Sequence, residues 1–285
     1  MKIIKNPKVI SIIGGRGKMG SMFAKAFRKQ GYEVIVSGRN TPISNIEATK
    51  LGDVVIICVP IRSTIKMIKE IGPFVRQDAL LTDFTSVKVY PCKAMLKYSK
   101  SEVIGAHPLF GPTVGLKNQN VIICPVRGNN YVEWYNLSLN KMGLKVDTLT
   151  PEAHDKQMAL VQALNHLSNL AFGSTLRHLN IKNISSKHTT PAYLLRLFTL
   201  GRLFSQDKEL YSDIMSYNPY TKIVMSALTK NILNLNNIVQ KNDKLAFENF
   251  FDNTKVIFNP IIENSTKITS EFIKLLNKKR IYENE

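Results

Sequence analysis

Apolar runs of strand length alternate with segments of helical periodicity through the first half of the chain. The runs lie at residues 9–13, 32–36, 53–59, 79–83, 102–106, 120–124 and 144–147. Helical patterns at 21–30 and 61–71 separate some of them. Strands that are apolar throughout are typical of a parallel sheet covered by helices on both faces. The pattern therefore predicts an α/β fold with a doubly wound sheet, whose edge mixes strand directions.

From residue 150 onward the pattern is helical. Thr150-Pro151-Glu152 combines a capping hydroxyl, a proline in the first turn and an early carboxylate, which together indicate a helix start. Further helices are predicted from 190 to 204, from 220 to 240 and from 245 to 276, followed by a charged tail. The helix at 190–204 is apolar almost all round, so we expect it at the centre of the helical half or in a subunit interface. We place the two domains at 1–150 and 151–285.

The first strand leads into a glycine-rich turn with the spacing Gly15-x-Gly17-x-x-Gly20, and a helix follows. This arrangement cradles a dinucleotide pyrophosphate, because the glycines allow a tight turn and a close backbone approach to the phosphates. Another kind of glycine-rich turn is the alternative. The prediction is a Rossmann-type dinucleotide-binding domain whose cleft lies at the carboxyl ends of the strands, formed by residues 14–20, 59–61, 82–88 and 107–112. The cofactor-binding residues expected there are Gly15, Arg16, Gly17, Lys18, Met19, Gly20, Val59 and Pro60.

The end of the second strand bears on the choice of cofactor. NAD enzymes place an acidic residue here for the ribose 2′-hydroxyl, whereas an arginine without a carboxylate suits a 2′-phosphate. This chain has Ser37, Gly38 and Arg39 and no acid. The sequence therefore favours NADP with Arg39 at the phosphate. The alternative, a solvated Arg39, leaves NAD open.

Composition and charge limit the kinds of partner that the chain is expected to bind. No stretch reaches the roughly 18 uninterrupted apolar residues of a membrane span, and the first residues run into the first strand without room for a signal peptide. We expect a cytoplasmic protein without membrane contact. The net charge is +18, but the lysines are scattered, which favours attraction of anionic ligands over nucleic-acid binding.

The three cysteines, Cys58, Cys92 and Cys124, have no CxxC spacing. Cys58 and Cys124 lie within apolar runs. We interpret the cysteines as buried hydrophobic residues, and we expect neither a disulfide framework nor a metal site.

The helical half carries two features that suit an anionic ligand. In its first helix, a stripe of polar and small residues at three- and four-residue spacing includes Gln162 and His166 and contains no lysine or glutamate. The stripe is either solvent-facing or the lining of a cleft. In the apolar helix at 190–204, Arg196 and Arg202 must reach solvent, pair with a protein carboxylate or meet an anionic ligand.

Four motifs carry a family resemblance. They are Thr82-Asp83-Phe84-Thr85-Ser86-Val87-Lys88, Gly105-Ala106-His107-Pro108-Leu109-Phe110-Gly111-Pro112, Gln162-Ala163-Leu164-Asn165-His166 and Gly201-Arg202-Leu203-Phe204-Ser205-Gln206-Asp207. In order and spacing they resemble the prephenate dehydrogenase family, in the form that proteobacteria fuse behind a chorismate mutase. The match runs from residue 8 over nearly the whole chain. Because the chain begins at the dinucleotide strand, we expect no mutase segment.

The resemblance implies an NAD(P)-dependent enzyme of tyrosine biosynthesis that oxidatively decarboxylates prephenate to 4-hydroxyphenylpyruvate. The alternative substrate is arogenate, which gives tyrosine directly. The resemblance also implies a homodimer formed through the helical domain.

Residue roles follow from the same resemblance. His107 is expected to accept the substrate hydroxyl proton, and Ser86 to hydrogen-bond and orient that histidine. His166 and Arg202 are expected to bind substrate, with the arginine on a carboxylate and Gln162 as a neighbour. His154 fits the family's helix start and is interpreted as structural.

The chain departs from the fused relatives at three positions. Leu194 and Arg196 stand where those proteins carry an arginine and an acid, and Gly38 stands where family members often have an acid. The first two departures affect the choice between prephenate and arogenate, and the third affects NAD specificity.

Two other classes share part of the pattern. β-Hydroxyacid dehydrogenases and imine reductases have the same two-domain plan, but the hydroxyacid enzymes need a catalytic lysine on the first long helix, where this chain offers His166. A nucleotide sensor without activity is the non-enzyme alternative. The presence of Ser86, His107 and Arg202 together speaks against it.

Overall fold

The computed structural model describes residues 5–181 and 188–278 of the chain. Contacts group the chain into two compact units. Unit 1 contains the residues up to Ala163 together with Glu209–Thr221, and unit 2 contains Leu164–Lys208 together with the residues from Lys222 onward. The domain boundary expected after residue 150 coincides with the start of a helix, whereas the first stretch of unit 1 ends at Ala163.

Unit 1 is built on a seven-stranded sheet. Its strands are β1 (Val9–Ile13), β2 (Glu33–Ser37), β3 (Val54–Ile57), β4 (Leu80–Asp83), β5 (Glu102–Pro108), β6 (Asn120–Arg127) and β7 (Lys145–Thr148). They lie in the order β2-β1-β3-β4-β5-β6-β7. Strands β1 to β5 pair in parallel, β6 is antiparallel to β5, and β7 is parallel to β6. The predicted α/β doubly wound sheet and its mixed edge are confirmed.

Helices cover both faces of the sheet, which is why its central strands are apolar throughout. One face packs under an aromatic group that includes Phe23, Phe27 and Trp134. The other face packs under aliphatic side chains such as Ile68 and Met95. The helices of this unit are α1 (Lys18–Lys29), α2 (Asn45–Leu51), α3 (Ile61–Ile71), α4 (Val89–Tyr98), α5 (Val132–Lys141), α6 (Pro151–Met158) and most of α9 (Lys208–Tyr217).

Unit 2 is helical in the part that the structure describes. Its helices are α7 (Asn165–His178), α8 (Pro191–Phe204), α10 (Thr221–Gln240), α11 (Lys244–Lys255) and α12 (Ile262–Lys278), with Thr221 itself grouped in unit 1. The predicted start signals hold, because the Thr150 and Thr190 hydroxyls accept hydrogen bonds from the backbone N–H groups of Ala153 and Tyr193. Among the described residues, we find no helix with the length and apolar character to cross a membrane.

Two helix predictions are wrong in detail. The stretch 245–276 is two helices, because Pro260 lies in the break and has no backbone N–H to continue a helix. The first helix of the helical half is interrupted by a π-helical segment at Ala159–Leu164. Within the single chain α8 is less buried than its composition suggests, since Phe198 and Phe204 are 40% and 60% exposed. Its place in a subunit interface stays a prediction.

Candidate active site

The glycine turn after β1 is shaped by close backbone approaches. Gly14 has φ of +82°, and a Cβ there would lie 2.3 Å from the carbonyl oxygen of Cys58. A Cβ on Gly15 would lie 2.8 Å from Cγ1 of Val36, and one on Gly20 would lie 2.7 Å from Cα of Gly15. The turn therefore excludes side chains at several positions. Gly14 supplies the left-handed residue, although the sequence motif begins one position later.

Helix α1 begins directly after this turn and leaves its first backbone N–H groups available. Its N-cap residue, Gly17, provides no side-chain acceptor, and the first helical turn contains no acidic residue. Backbone N–H groups at a helix N-terminus, behind a turn without side chains, suit a pyrophosphate. The residues present therefore fit a dinucleotide. Lys18 is exposed and Met19 is half-buried against the core.

A side chain of the glycine turn is hydrogen-bonded to the loop after β2. The Nη1 of Arg16 donates to the carbonyl oxygen of Asn40, 2.6 Å away, and Arg39 is exposed beside it. The hydroxyl of buried Ser37 donates to Oδ1 of Asn45. Two arginines thus lie near the place where the sheet topology puts the adenosine ribose of a dinucleotide.

The carboxyl ends of β1, β3, β4 and β5 lie along one edge of the sheet. The strand registers pair Ile13 with Ile57, Ile57 with Asp83, and Asp83 with Gly105. The glycine turn, Val59 and Pro60 after β3, and the loop after β4 therefore follow one another along this edge. Val59 is half-buried and Pro60 is exposed. The predicted cleft at the strand ends has the topology that doubly wound sheets use for ligands.

His107, near the end of β5, contacts His154 near the start of α6. The Nδ1 of His107 and the Nε2 of His154 are 2.9 Å apart. The Nδ1 of His154 lies 2.8 Å from Oδ1 of Asp155. Solvent reaches 2% of His107 and none of His154 or Asp155. These three residues form a buried hydrogen-bonded chain that ends on a carboxylate.

The carboxylate of Asp155 is held by the N-terminus of α4. Its Oδ1 accepts a hydrogen bond from the backbone N–H of Lys88 at 2.7 Å, and its Oδ2 accepts one from the N–H of Val89 at 2.9 Å. The amide of Asn218 donates to the backbone carbonyl of Asp155 at 2.8 Å. Helix α6 is thereby fixed against the element that follows β4.

The segment that carries Asn218 is attached to unit 1 at a second point. Asp213, on α9, accepts hydrogen bonds from Nε and from the backbone N–H of Arg62 at the start of α3. Ile214 packs against Ile61 and Val87. These contacts explain why residues far beyond position 150 belong to the dinucleotide-binding unit.

A buried charge pair lies beside the histidines. The Nζ of Lys88 is 2.5 Å from Oδ2 of Asp83, and neither side chain is exposed. The same ammonium donates to the carbonyl oxygen of Ala106, the residue before His107, at 2.8 Å. The Thr85 hydroxyl also donates to Asp83. The carboxylate of Asp83 therefore balances the buried charge of Lys88.

The surroundings keep both histidines neutral. Burial, followed by the charges of His154 and Lys88, holds the pKa of His107 well below its ordinary value of 6.5. Burial also lowers the pKa of His154, although the hydrogen bond to Asp155 opposes that effect. A neutral imidazole near a cleft can accept a proton.

Ser86, the residue expected to orient His107, lies half-buried in the loop between β4 and α4. Among the hydrogen bonds of the described residues we find none between Ser86 and His107. The Nδ1 of His107 faces His154 instead. Ser86 as a catalytic residue stays a prediction.

The expected substrate residues lie on both sides of the boundary between the units. Gln162 belongs to the π-helical segment in unit 1. His166 is on α7 and Arg202 is on α8, both in unit 2. Burial lowers the pKa of His166, whereas Arg202 is exposed. Their roles stay predictions.

The sequence predicts buried cysteines and no metal site. In the ranges 5–181 and 188–278, we find no group of three His, Cys, Asp or Glu residues able to hold a metal ion. Cys92 and Cys124 are buried and Cys58 is half-buried, all as thiols. Burial raises the pKa of Cys58 and of Cys124 to about 12. Such thiols behave as small hydrophobic groups.

Sequence reasoning missed the supporting residues of this site. The sequence identifies His154 only as structural, places Asp155 on the same polar stripe as Gln162 and His166, and gives Lys88 no role of its own. The adjacent pair His154-Asp155 just after a helix start was the available signal, but its partner His107 lies 47 positions away. Asp83 ends β4 and Lys88 follows five positions later, a spacing compatible with an ion pair, but the sequence does not show that both side chains are buried.

Comparisons with known proteins match most of the chain to one family. The model of the nucleotide-binding domain of prephenate dehydrogenase matches residues 40–171, and that of the prephenate dehydrogenase dimerization domain matches residues 150–253. A probable arogenate/prephenate dehydrogenase of Methanocaldococcus jannaschii is 38% identical over 259 residues, covering 84% of this chain and 58% of that protein. A T-protein of Haemophilus influenzae is 31% identical, covering 94% of this chain and 72% of that protein.

Solved structures show the same fold. Prephenate dehydrogenase from A. aeolicus, in complex with hydroxyphenyl propionate and NAD+, superimposes with a TM-score of 0.70 at 20% identity, covering 90% of this chain and 99% of that one. Synechocystis arogenate dehydrogenase gives 0.68 at 17% identity, covering 89% and 100%. The chain thus spans just under three fifths of the length of the Methanocaldococcus relative and almost all of these solved chains. With its nucleotide-binding and dimerization domains matched in order, the chain belongs to the prephenate dehydrogenase family, whose members are NAD(P)-dependent oxidoreductases.

Proposed function

We propose that this chain oxidatively decarboxylates prephenate to 4-hydroxyphenylpyruvate, with a nicotinamide dinucleotide as the hydride acceptor. Arogenate, converted to tyrosine, is the alternative substrate. The observation that carries the proposal is His107, a buried imidazole at the carboxyl edge of the sheet, hydrogen-bonded through Nδ1 to His154. Family membership supports the same reaction.

The residues of the glycine turn would hold the cofactor. Backbone N–H groups at the start of α1 would face the pyrophosphate, and tight packing at Gly14, Gly15 and Gly20, which leaves no space for a Cβ, shapes the turn that presents them. We propose a preference for NADP, since Arg39 lies just after β2, where an acid would select NAD, and the side chain of Arg16 hydrogen-bonds to the same loop. When bound, the nicotinamide takes up the hydride from the ring carbon that bears the hydroxyl.

The task left to the protein is positioning and one proton transfer. The Nε2 of His107 accepts the proton of the substrate hydroxyl as the ring carbon is oxidised. The carbon–carbon bond to the ring carboxylate then breaks, carbon dioxide leaves, and the bond's electron pair enters the ring. His107 returns the proton to the resulting phenolate oxygen. Aromatisation supplies the driving force, so no covalent intermediate with the protein is required.

Substrate binding is assigned to His166, Arg202 and Gln162, as the resemblance implies. An arginine suits a carboxylate because its planar fork donates two parallel hydrogen bonds. The match to the dimerization domain supports a homodimer. A cytoplasmic location stays a prediction.

A turnover assay that crosses prephenate and arogenate with NAD and NADP tests the proposal. We expect reduction of the nicotinamide with prephenate, faster with NADP, together with formation of 4-hydroxyphenylpyruvate. If only arogenate is turned over, with tyrosine as the product, then arogenate is the substrate in place of prephenate. No reduction in any of the four mixtures would refute the proposed function.

A further inference from the structure

The hydrogen bonds around Asp155 have a defined direction. Backbone N–H groups can only donate, so the Asp155 oxygens accept from Lys88 and Val89. The Oδ1 of Asp155 is also the partner of Nδ1 of His154 at 2.8 Å. An acceptor carboxylate requires a proton on that nitrogen. His154 is therefore the Nδ1–H tautomer when it is neutral.

That tautomer fixes the next ring in the chain. A neutral imidazole with its proton on Nδ1 has an acceptor lone pair on Nε2. The Nε2 of His154 lies 2.9 Å from Nδ1 of His107, so Nδ1 of His107 must donate. His107 then carries its lone pair on Nε2, the nitrogen that a proton-accepting residue needs.

We propose that His154 is a positioning residue that sets the tautomer and the orientation of His107, with Asp155 as its anchor on the N-terminus of α4. This inference rests on the proposed function, because it assigns His107 the task of accepting the substrate hydroxyl proton. His154 acts only through His107. The arrangement places one imidazole between the carboxylate and the base, whereas in catalytic triads the carboxylate contacts the base directly.

Asp155, the anchor of His154, is held by several hydrogen bonds from the described residues. Asp155 is held by two backbone N–H groups of α4, and its own backbone carbonyl accepts from Asn218. The two imidazole rings meet edge to face, with centroids 5.0 Å apart and an interplanar angle of 66°. The His154 ring is hydrogen-bonded at both nitrogens, so it keeps one rotamer. It can therefore hold the His107 ring in the orientation that proton transfer requires.

Other charged and titratable groups lie close enough to interact electrostatically with these residues or with one another. They are the Lys88 ammonium, the Asp83 carboxylate, and the thiols of Cys92 and Cys124. Lys88 is paired with Asp83, and burial raises the pKa of both thiols. None of them hydrogen-bonds Nδ1 of His107, so the tautomer is set by His154.

The first test needs no substrate. In the full-length chain labelled with ¹⁵N at the histidine rings, long-range ¹H–¹⁵N spectra near neutral pH report which nitrogen is protonated. We expect the Nδ1–H tautomer for both His107 and His154, with signals assigned by their loss in H107N and H154Q. A His107 ring protonated on Nε2 would overturn the inference. This result stands whether or not the proposed substrate is turned over.

The second test compares two replacements of His154. In H154Q the side-chain oxygen can accept from His107 while the amide nitrogen donates to Asp155, whereas H154F can do neither. We expect kcat of H154F to fall by about 10²- to 10⁴-fold, with a much smaller change in KM, and H154Q to recover most of that loss. Equal losses in the two variants at equal melting temperature would contradict the positioning role.

Discussion

Lys88 and Asp83 form an ion pair that solvent does not reach, with Nζ and Oδ2 2.5 Å apart. The ammonium also donates to the carbonyl oxygen of Ala106, so the pair supports the backbone directly before His107. A buried charge without its partner is costly, while replacement of both partners by neutral groups can cost little. This asymmetry makes the pair testable.

Lys88→Met should lower the free energy of unfolding by about 3–5 kcal/mol, because Asp83 is left buried without its counter-charge. Adding Asp83→Asn to this variant should recover part of the loss. Urea unfolding of both proteins measures the difference. Lys93→Met is the matched control, since Lys93 is exposed and lies on α4, the helix whose N-cap residue is Lys88. A double variant less stable than Lys88→Met would contradict the assignment of the pair.

Gly14→Ala separates steric contact from backbone strain. Gly14 and Gly31 have similar φ values of +82° and +89°, but a Cβ at Gly31 meets nothing within 4 Å. Gly31→Ala should therefore show only the conformational cost, about 1 kcal/mol. Gly14→Ala should cost more and should also weaken nucleotide binding, because the Cys58 carbonyl is part of the sheet edge. Unfolding and nucleotide titrations measure both effects, and equal costs would contradict the close approach.

Arg39→Ala tests the cofactor preference. If Arg39 binds a 2′-phosphate, its removal should raise the KM for NADP by about 10- to 100-fold, as expected for loss of a charged hydrogen bond. The KM for NAD should stay close to that of the unmodified chain. Lys29→Ala, an exposed cation at the end of α1, is the control. Parallel loss with both nucleotides would place Arg39 away from the 2′ position.

The lowered pKa values of the two histidines predict the pH dependence of activity. His107 must be neutral to accept a proton, and its folded-state pKa lies well below 6.5. The value of kcat/KM should therefore hold as the pH falls through 6.5 and decline only at lower pH. A midpoint at or above 6.5 would contradict the burial of this base.

The same shifts predict the pH dependence of stability. Above the unfolded-state pKa of 6.5 the folded and unfolded chains are both deprotonated at these residues. As the pH falls from there toward the lowered folded-state values, the unfolded chain binds more protons, so stability is lost. Urea unfolding at about pH 7.5 and about pH 5.5 should show a smaller loss for H154Q than for the unmodified chain. An equal loss would show that His154 does not contribute.

Periodicity was sufficient to predict the strands of the sheet and helices α1 and α3, but it did not predict α2, α4 and α5. Continuous apolar strands and the glycine turn depend on neighbours in sequence, and both were found where expected. The break at Pro260 was also readable, because a proline inside a helical pattern removes a backbone donor. By contrast, residues 209–221 belong to unit 1 through Asp213, whose partner Arg62 is 151 positions away.

The sequence predicted the residues expected to contact substrate, but it did not predict the residues that hold His107 in place. Family motifs pointed to His107, Ser86, His166 and Arg202, but no motif showed that Nδ1 of His107 meets His154. That contact depends on how α6 packs beside β5, which one sequence does not reveal. Burial of Lys88 was equally hidden, since a lysine in a loop is usually solvated.

The central claim is that His107 accepts the substrate proton, and the kcat of His107→Asn with prephenate tests it most directly. The matched control is His178→Asn at the exposed end of α7. The account predicts a fall in kcat of about 10²- to 10⁴-fold for His107→Asn with nucleotide affinity retained, and unchanged turnover for the control. Full activity of His107→Asn would contradict it.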